Sequence, residues 1–411
     1  MTTLIEQLAA AKGIASEYVD AWGHPAQVSE ESKAAMLGAM GYRVDDEAAL
    51  TEQLEQEHRQ HWLRPLDPVM VVRSGDPISL EVRLPIEFVN DALHWQIVLE
   101  QGALLSGQLT PIEGELVGVA EFEEMECQAY RVALDVQPEL GYHQLVLLEE
   151  GNDEPLATMR LIVAPKSCYK QAPIANGRKV WGPSVQLYCL RSRHNWGIGD
   201  FSDLGQLVEK AAAWGAHFVG LNPIHALYPA NPESASPYSP SSRRWLNVAY
   251  INVEAVPEFL ANERLKADVA SPAFQQHLAS LRAKENVDYT GVIETKIGML
   301  RQVFDEARLS AERQAAFDAF VAAGGDSLQQ QAAFDALQAH FYGKGENAWG
   351  WPVWPDAFRD YHNPEVAAWM QDHSQDVNFY LYLQFLADEQ LAQADARAKA
   401  AGMVMGIYRD L

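Results

Sequence analysis

Hydrophobic positions change their spacing three times along the chain, and each change predicts a different architecture. In residues 3–63 the spacing is helical: Leu4, Ile5 and Leu8 share one face, which Gly13 interrupts. Ser29 is a good N-cap, and Glu30 and Glu31 fall in the first turn, where the helix dipole favours acids. Met36 and Met40 follow at i,i+4 spacing, and a third helix is expected from Asp45 or Asp46, carrying Leu50 and Leu54. Pro65 and Pro68 end this regime. From about 69 to 165 the period is two: Ile78, Leu80, Val82 and Leu84 alternate with other residues, as do Ala157, Met159, Leu161 and Val163. Gly151-Asn152 predicts a turn between two strands. The expectation is a helical unit at 1–65 and a β-sandwich-like domain at 66–165, a scaffold or glycan-binding module with no catalytic constellation.

Residues 166–178 form a polar linker, after which the pattern changes again. Ser184–Leu190 is a short apolar run. A Gly-containing loop and an amphipathic stretch, Asp203–Trp214, lead to a second run, His217–Ile224. Strand, helix, strand in this rhythm predicts βα repeats on a parallel sheet. Met403–Leu411 is a third strand candidate, and residues 258–400 between the second and third are a long, mostly helical insertion. Residues 178–411 therefore predict an α/β fold, the first strands of an incomplete (β/α)8 TIM barrel. Three parallel strands cannot close a barrel of eight, so Leu411 is expected to be a cut in a longer chain.

Composition narrows the function classes. The 411 residues are 48% hydrophobic and 21% charged, an ordinary globular balance, and no apolar run reaches the ~20 residues of a membrane helix. The start, Met1-Thr-Thr-Leu-Ile, lacks a basic region and cleavage site for secretion. Cys127, Cys168 and Cys189 are few and scattered, which argues for a reducing compartment, by default the cytoplasm. A net charge of −25 would repel a phosphate backbone, so neither nucleic acid nor a membrane is expected as partner. The charge is compatible with a neutral sugar, but solubility explains it equally.

In a βα barrel, chemistry sits on the loops after the strand C-termini. The first such loop, Arg191–Leu204, holds Gly197 and Gly199, with Asp200, Ser202 and Asp203 able to cap the next helix. Ser202 stands where a dinucleotide fingerprint needs its third glycine, so a turn plus helix cap is the better reading. The second loop, His225–Asn247, is long, proline-rich and polar, yet carries Tyr228, Tyr238 and Trp245. Flat aromatic faces amid hydroxyl, amide and guanidinium donors suit a sugar; the same aromatics could equally pin the loop to the barrel.

These residues carry a resemblance. Val185-Gln-Leu-Tyr-Cys-Leu-Arg-Ser, Asn195-Trp-Gly-Ile-Gly-Asp-Phe-Ser-Asp-Leu, Gly220-Leu-Asn-Pro-Ile-His-Ala-Leu-Tyr-Pro, Ser236-Pro-Tyr-Ser-Pro-Ser-Ser-Arg-Arg-Trp-Leu-Asn, Trp349-Gly-Trp-Pro-Val-Trp-Pro and Ile407-Tyr-Arg-Asp-Leu resemble the start of the amylomaltase barrel of glycoside hydrolase family 77. The segments before residue 178 resemble the N-terminal extension of its enterobacterial-type members. The resemblance implies a 4-α-glucanotransferase that moves α-1,4-linked segments between malto-oligosaccharides, with glucose as product or acceptor and no cofactor or metal. It implies a retaining double displacement by a carboxylate nucleophile and a carboxylic acid. Tyr238 matches the tyrosine stacked on the sugar beside the scissile bond, Ser236 a polar neighbour, and Asp410 the aspartate that lines the cleaved glucose's pocket. The alternative for Asp410 is an ion pair with Arg409 or another basic group, but a carboxylate at the C-terminal end of a barrel strand reads as functional. The Arg-Ile-Asp-His and Gly-Glu-Asp-Leu-Gly types of motif that carry the nucleophile and the acid do not occur in 1–411. No catalytic residue is therefore expected here; the chain alone is expected to be inactive, a maltodextrin-binding fragment or scaffold being the alternative.

Other candidates carry less. His58 and His61 lie three apart without a third ligand, and the acidic run Glu121–Glu126 suits a solvated strand face better than a calcium site. Trp349–Trp354 could be a glycan platform or plain core.

Overall fold

The structure, a computed structural model, describes residues 3–122, 125–152, 154–345 and 349–410. It divides into two compact units, Met1–Tyr169 and Lys170–Leu411.

The first unit opens with helices Leu4–Ala11, Glu30–Ala39 and Glu47–Trp62, capped by the side chains of Thr3, Ser29 and Asp46. Between the first two lies an antiparallel hairpin, Glu17–Val19 with Pro25–Gln27, which helical spacing did not predict. Its turn is made locally: Asp20 Oδ1 accepts from the backbone N–H of Trp22 and of His24. Leu8, Ala9, Leu37 and Leu50 form the small core. Met36 and Met40 are about half exposed and do not form the inner stripe; Lys33 and Leu37 do. Lys33 tolerates burial because the Glu6 carboxylate receives its ammonium.

Two antiparallel-rich sheets follow. One is five-stranded, in the order Val69–Arg73, Pro155–Ala164, Gly141–Glu149, Leu93–Val98, Leu104–Leu109. The other is Ile78–Pro85, Met125–Leu134, Glu115–Phe122. The period-two residues Ile78, Leu80, Val82, Leu84, Met159, Leu161 and Val163 meet in a common core. Gly107 is required by its neighbour across the ladder, since a Cβ there would come within 2.5 Å of the Trp95 ring. Buried Arg83 is satisfied by Arg64 O, Glu81 and Asp67. Part of the acidic run Glu121–Glu126 lies outside the described residues; within the run, Phe122 pairs with Met125 and Glu121 with Glu126 in the antiparallel ladder. The His58 ring packs on Trp62 and Phe122.

In the second unit, strands Ser184–Val185, Phe218–Leu221 and Gly406–Tyr408 form a parallel sheet in that order, three strands among the described residues. They are shorter than the apolar runs suggested. After Val185 the chain coils into a tight turn at Leu187–Cys189, because the Leu187 N–H donates to the Asn222 side chain (2.8 Å) rather than to a strand carbonyl. The third strand uses three residues of Met403–Leu411, and Leu411 lies outside the described residues. Helix Phe201–Ala213 links the first two strands. Asp200 and Asp203 close a reciprocal capping box at its start.

The insertion is helical, with Tyr289–Glu306, Ala311–Gly343 and Ser374–Ala400 its longest elements. Ala311–Gly343 is broken at Gly325, whose φ of 55° and ψ of −150° no helix accommodates. Arg313 bridges Glu258 and Glu389, and Tyr382 also donates to Glu258, so one charge network fastens three helices.

Candidate functional site

The parallel register aligns Val185 with Leu221 and Gly220 with Tyr408, so all three strands end together and release their loops on one edge. Asn222 organises that edge. Besides holding Leu187 N, it lies 3.4 Å from the Tyr250 hydroxyl through Nδ2. Burial raises the Tyr250 phenol far above the usual tyrosine range. Tyr289, half-buried nearby, is pushed up to about 12 for the same reason.

Tyr238 and Ser236 are exposed on the second loop, Tyr238 by 68%, so its ring is free to meet a ligand. Tyr238 lies within electrostatic reach of half-buried Tyr188; burial, then Cys189, then Tyr238 raise the Tyr188 phenol. Asp410 is half-buried just past the third strand and acts electrostatically on His225, four residues past the second. His225 is buried, and among the described residues its Nε2 has no hydrogen-bond partner. Burial lowers its pKa, Arg243 and Arg409 reinforce that, and Asp410 opposes it. Tyr238 thus sits on the loop after the second strand and Asp410 just past the third, both released at the same end of one sheet.

The aromatics of the second loop do not act together. Its first two residues, His225–Ala226, pair with Ser242–Leu246, folding the loop into a twisted ribbon. Tyr228 and Trp245 line a pocket of about 410 Å³ with Phe334, Trp349 and Trp351, and Tyr238 is not among its lining residues. Tyr188, Asn222 and His225 were not singled out by sequence, although each sits one to four residues past a strand end, the position that could have flagged it.

The first loop has a structural purpose. Gly197 has φ 94°, and a Cβ on Gly199 would lie 2.0 Å from Leu187 O. Beneath it, fully buried Lys296 donates to Ala249 O (2.7 Å) and Ile251 O (2.8 Å). Burial holds Lys296 down to about 8 and pushes Asp200 up to about 6, each charge opposing the shift of the other.

Comparison with known proteins bears on this edge directly. Residues 65–165 match a family described as the MalQ N-terminal beta sandwich domain. A 4-alpha-glucanotransferase of Haemophilus influenzae is 37% identical over 66% of this chain and 39% of its own length. One of Mycobacterium tuberculosis is 34% identical over 98% of this chain and 54% of its own length. The crystal structure of amylomaltase from Corynebacterium glutamicum superposes with a TM-score of 0.79 at 29% identity, covering 99% of this chain and 54% of that one. The chain thus spans about half the length, or less, of the relatives it matches. Residues 185–411, which run from the first parallel strand through Asp410 and make up more than half of the chain, match the 4-alpha-glucanotransferase family, and the chain belongs to glycoside hydrolase family 77.

Proposed function

We propose that the chain forms the substrate-facing first part of a 4-α-glucanotransferase, which moves α-1,4-glucan segments between malto-oligosaccharides by a retaining double displacement. The observation that carries this reading is that the three parallel strands release their loops at one edge, inside the family match, with exposed Tyr238 on the second loop and Asp410 just past the third strand. Tyr238 offers a flat face to a glucose ring, Ser236 a hydroxyl to its edge, and Asp410 a carboxylate that accepts hydrogen bonds from sugar hydroxyls. A retaining site needs two carboxyls about 5–5.5 Å apart, one as nucleophile and one as acid. The chain spans about half the length of its relatives, and we expect that pair beyond residue 411. The first strand ends then supply binding and orientation, and the second carboxylate-bearing part supplies the bond changes. Transfer to a sugar rather than to water follows if an aromatic platform holds the acceptor while the glycosyl intermediate persists.

Titration of the 411-residue chain with maltotriose, followed by calorimetry, tests the binding half of this account. Tyr238→Ala and Asp410→Asn should each weaken binding by about tenfold, the value of one good contact, with the fold unchanged. Unaltered affinity in both variants would remove these residues from the site.

A further inference from the structure

The second loop leads to a pocket that the strand-edge site does not use. It lies between the Ser242–Leu246 strand, the part of helix Ala311–Gly343 beyond the Gly325 break, and the Trp349–Pro352 segment. Its volume is about 410 Å³, within the range of small-molecule sites. None of Tyr238, Ser236 and Asp410 lines it.

Its chemistry is selective. In a chain of net charge −25, no residue among the described ones that line it carries a charge. Nucleotides, carboxylates and metal cations would find no counter-charge among these residues. What lines it instead is aromatic faces alternating with hydroxyl and amide groups, which suits a neutral molecule that is apolar on its faces and polar around its rim. Cyclic sugars have that form.

The walls are built before any ligand arrives. Trp354 is 2% exposed and stacks on Phe334 at 5.5 Å and 26°, so it belongs to the core and steadies one wall. Trp349 and Trp351, in the same short segment, are 51% and 56% exposed. An indole left half in water forgoes much of the burial that an aromatic normally gains on folding, and here two do so at one pocket. Gln338 holds their segment by donating to Trp349 O (3.1 Å). Trp245 is fixed through its indole N–H to Ser327 O (3.2 Å). Gln331 ties the polar wall together, donating to Ser241 Oγ at 3.4 Å and to both oxygens of Asp335 at 3.2 Å.

We propose that this pocket binds glucosyl units of an α-glucan, stacked on Trp349 and Trp351, as a holding site separate from the strand edge. The inference rests on the 4-α-glucanotransferase reading for the identity of the sugar and on the pocket alone for its being a sugar site. Its consequence is a dependence on chain length: a glucan long enough to reach beyond the strand edge gains contacts that maltotriose lacks.

The test is maltoheptaose binding to the 411-residue chain, followed by calorimetry and by hydrogen exchange. Trp351→Ala and Trp349→Ala should each weaken maltoheptaose binding by about fivefold to tenfold, Trp351→Phe should restore most of the loss, and Tyr238→Ala should leave exchange protection at 349–352 in place. In the unaltered chain, maltoheptaose should slow exchange at 327–334 and 349–352, a readout that needs no variant to fold. Unchanged affinity in both tryptophan variants together with no new protection at these segments would overturn the proposal. If at the same time Tyr238→Ala abolished binding, the strand-edge reading would stand without it. Protection at 349–352 with no effect of Tyr238→Ala on maltotriose would instead support this pocket and contradict the strand-edge assignment.

Discussion

The β-sandwich and the parallel-sheet unit bury their cores by opposite means, and the proposed site lies in the second. In the sandwich, strands of five to ten residues alternate over much of their length, and their inner side chains are the core. In the second unit the parallel strands have two, four and three residues, and helices supply most of the buried side chains. Short strands leave many residues for loops, and those loops begin at one sheet edge. The lesson is that the sandwich fixes its backbone mainly by ladder pairing, whereas the second unit also fixes its strand-end loops with buried polar groups such as Asn222, Asp200 and Lys296.

The sharpest way to break this contrast is to remove one of those groups. Lys296→Met strands Ala249 O and Ile251 O and takes the cation away from Asp200, at a cost of about 3–5 kcal/mol. Hydrogen exchange should show lost protection in 201–213 and 289–306, with the strands of 69–164 unchanged. Equal loss in the sandwich would mean that the buried lysine supports more than its own unit.

A smaller effect comes from Asp335, fully buried below the tryptophan pocket with Gln331 as its hydrogen-bond partner. Burial pushes its carboxyl up from 3.8 to about 7. The folded chain therefore keeps a proton that the unfolded chain releases, so this group lowers stability as pH rises from about 4 to about 7, by on the order of 1.4 kcal/mol per pH unit at most. Above about 7 the penalty is constant. Asp335→Asn should thus gain in melting temperature relative to the unaltered chain between pH 4.5 and pH 8. A difference that does not move with pH would show that Asp335 is ionised in the fold at all these values.

How far the sequence carried this account follows the same division. Alternation at Ile78–Leu84 and Ala157–Val163 was legible because each residue's face is set by strand geometry alone. The caps at Ser29 and Asp46, and the capping box at Asp200, were legible because they are local. The spacing of Met36 and Met40 marked a helix without saying which side faces inward; Leu37 and Lys33, paired with Glu6 of another helix, do. The ends of the parallel strands were illegible because a side chain 35 residues away, Asn222, sets where the first one stops. At the site, Tyr238 could be singled out by its motif, while the parting of Tyr238 from Tyr228 and Trp245 depends on the loop's pairing with itself at 225–226 and 242–246. The open choice at Trp349–Trp354 divides within the segment: Trp354 is core, and Trp349 and Trp351 face a pocket.

The most direct test of the central claim is maltotriose disproportionation, measured as glucose release and growth of longer maltodextrins. The 411-residue chain should be compared with a form extended to the length of its family 77 relatives. Activity in the extended form alone is the predicted result, with the carboxylate pair supplied beyond residue 411. Turnover by the 411-residue chain itself would contradict it and would require the nucleophile and the acid to be found among the acids between Asp200 and Asp410.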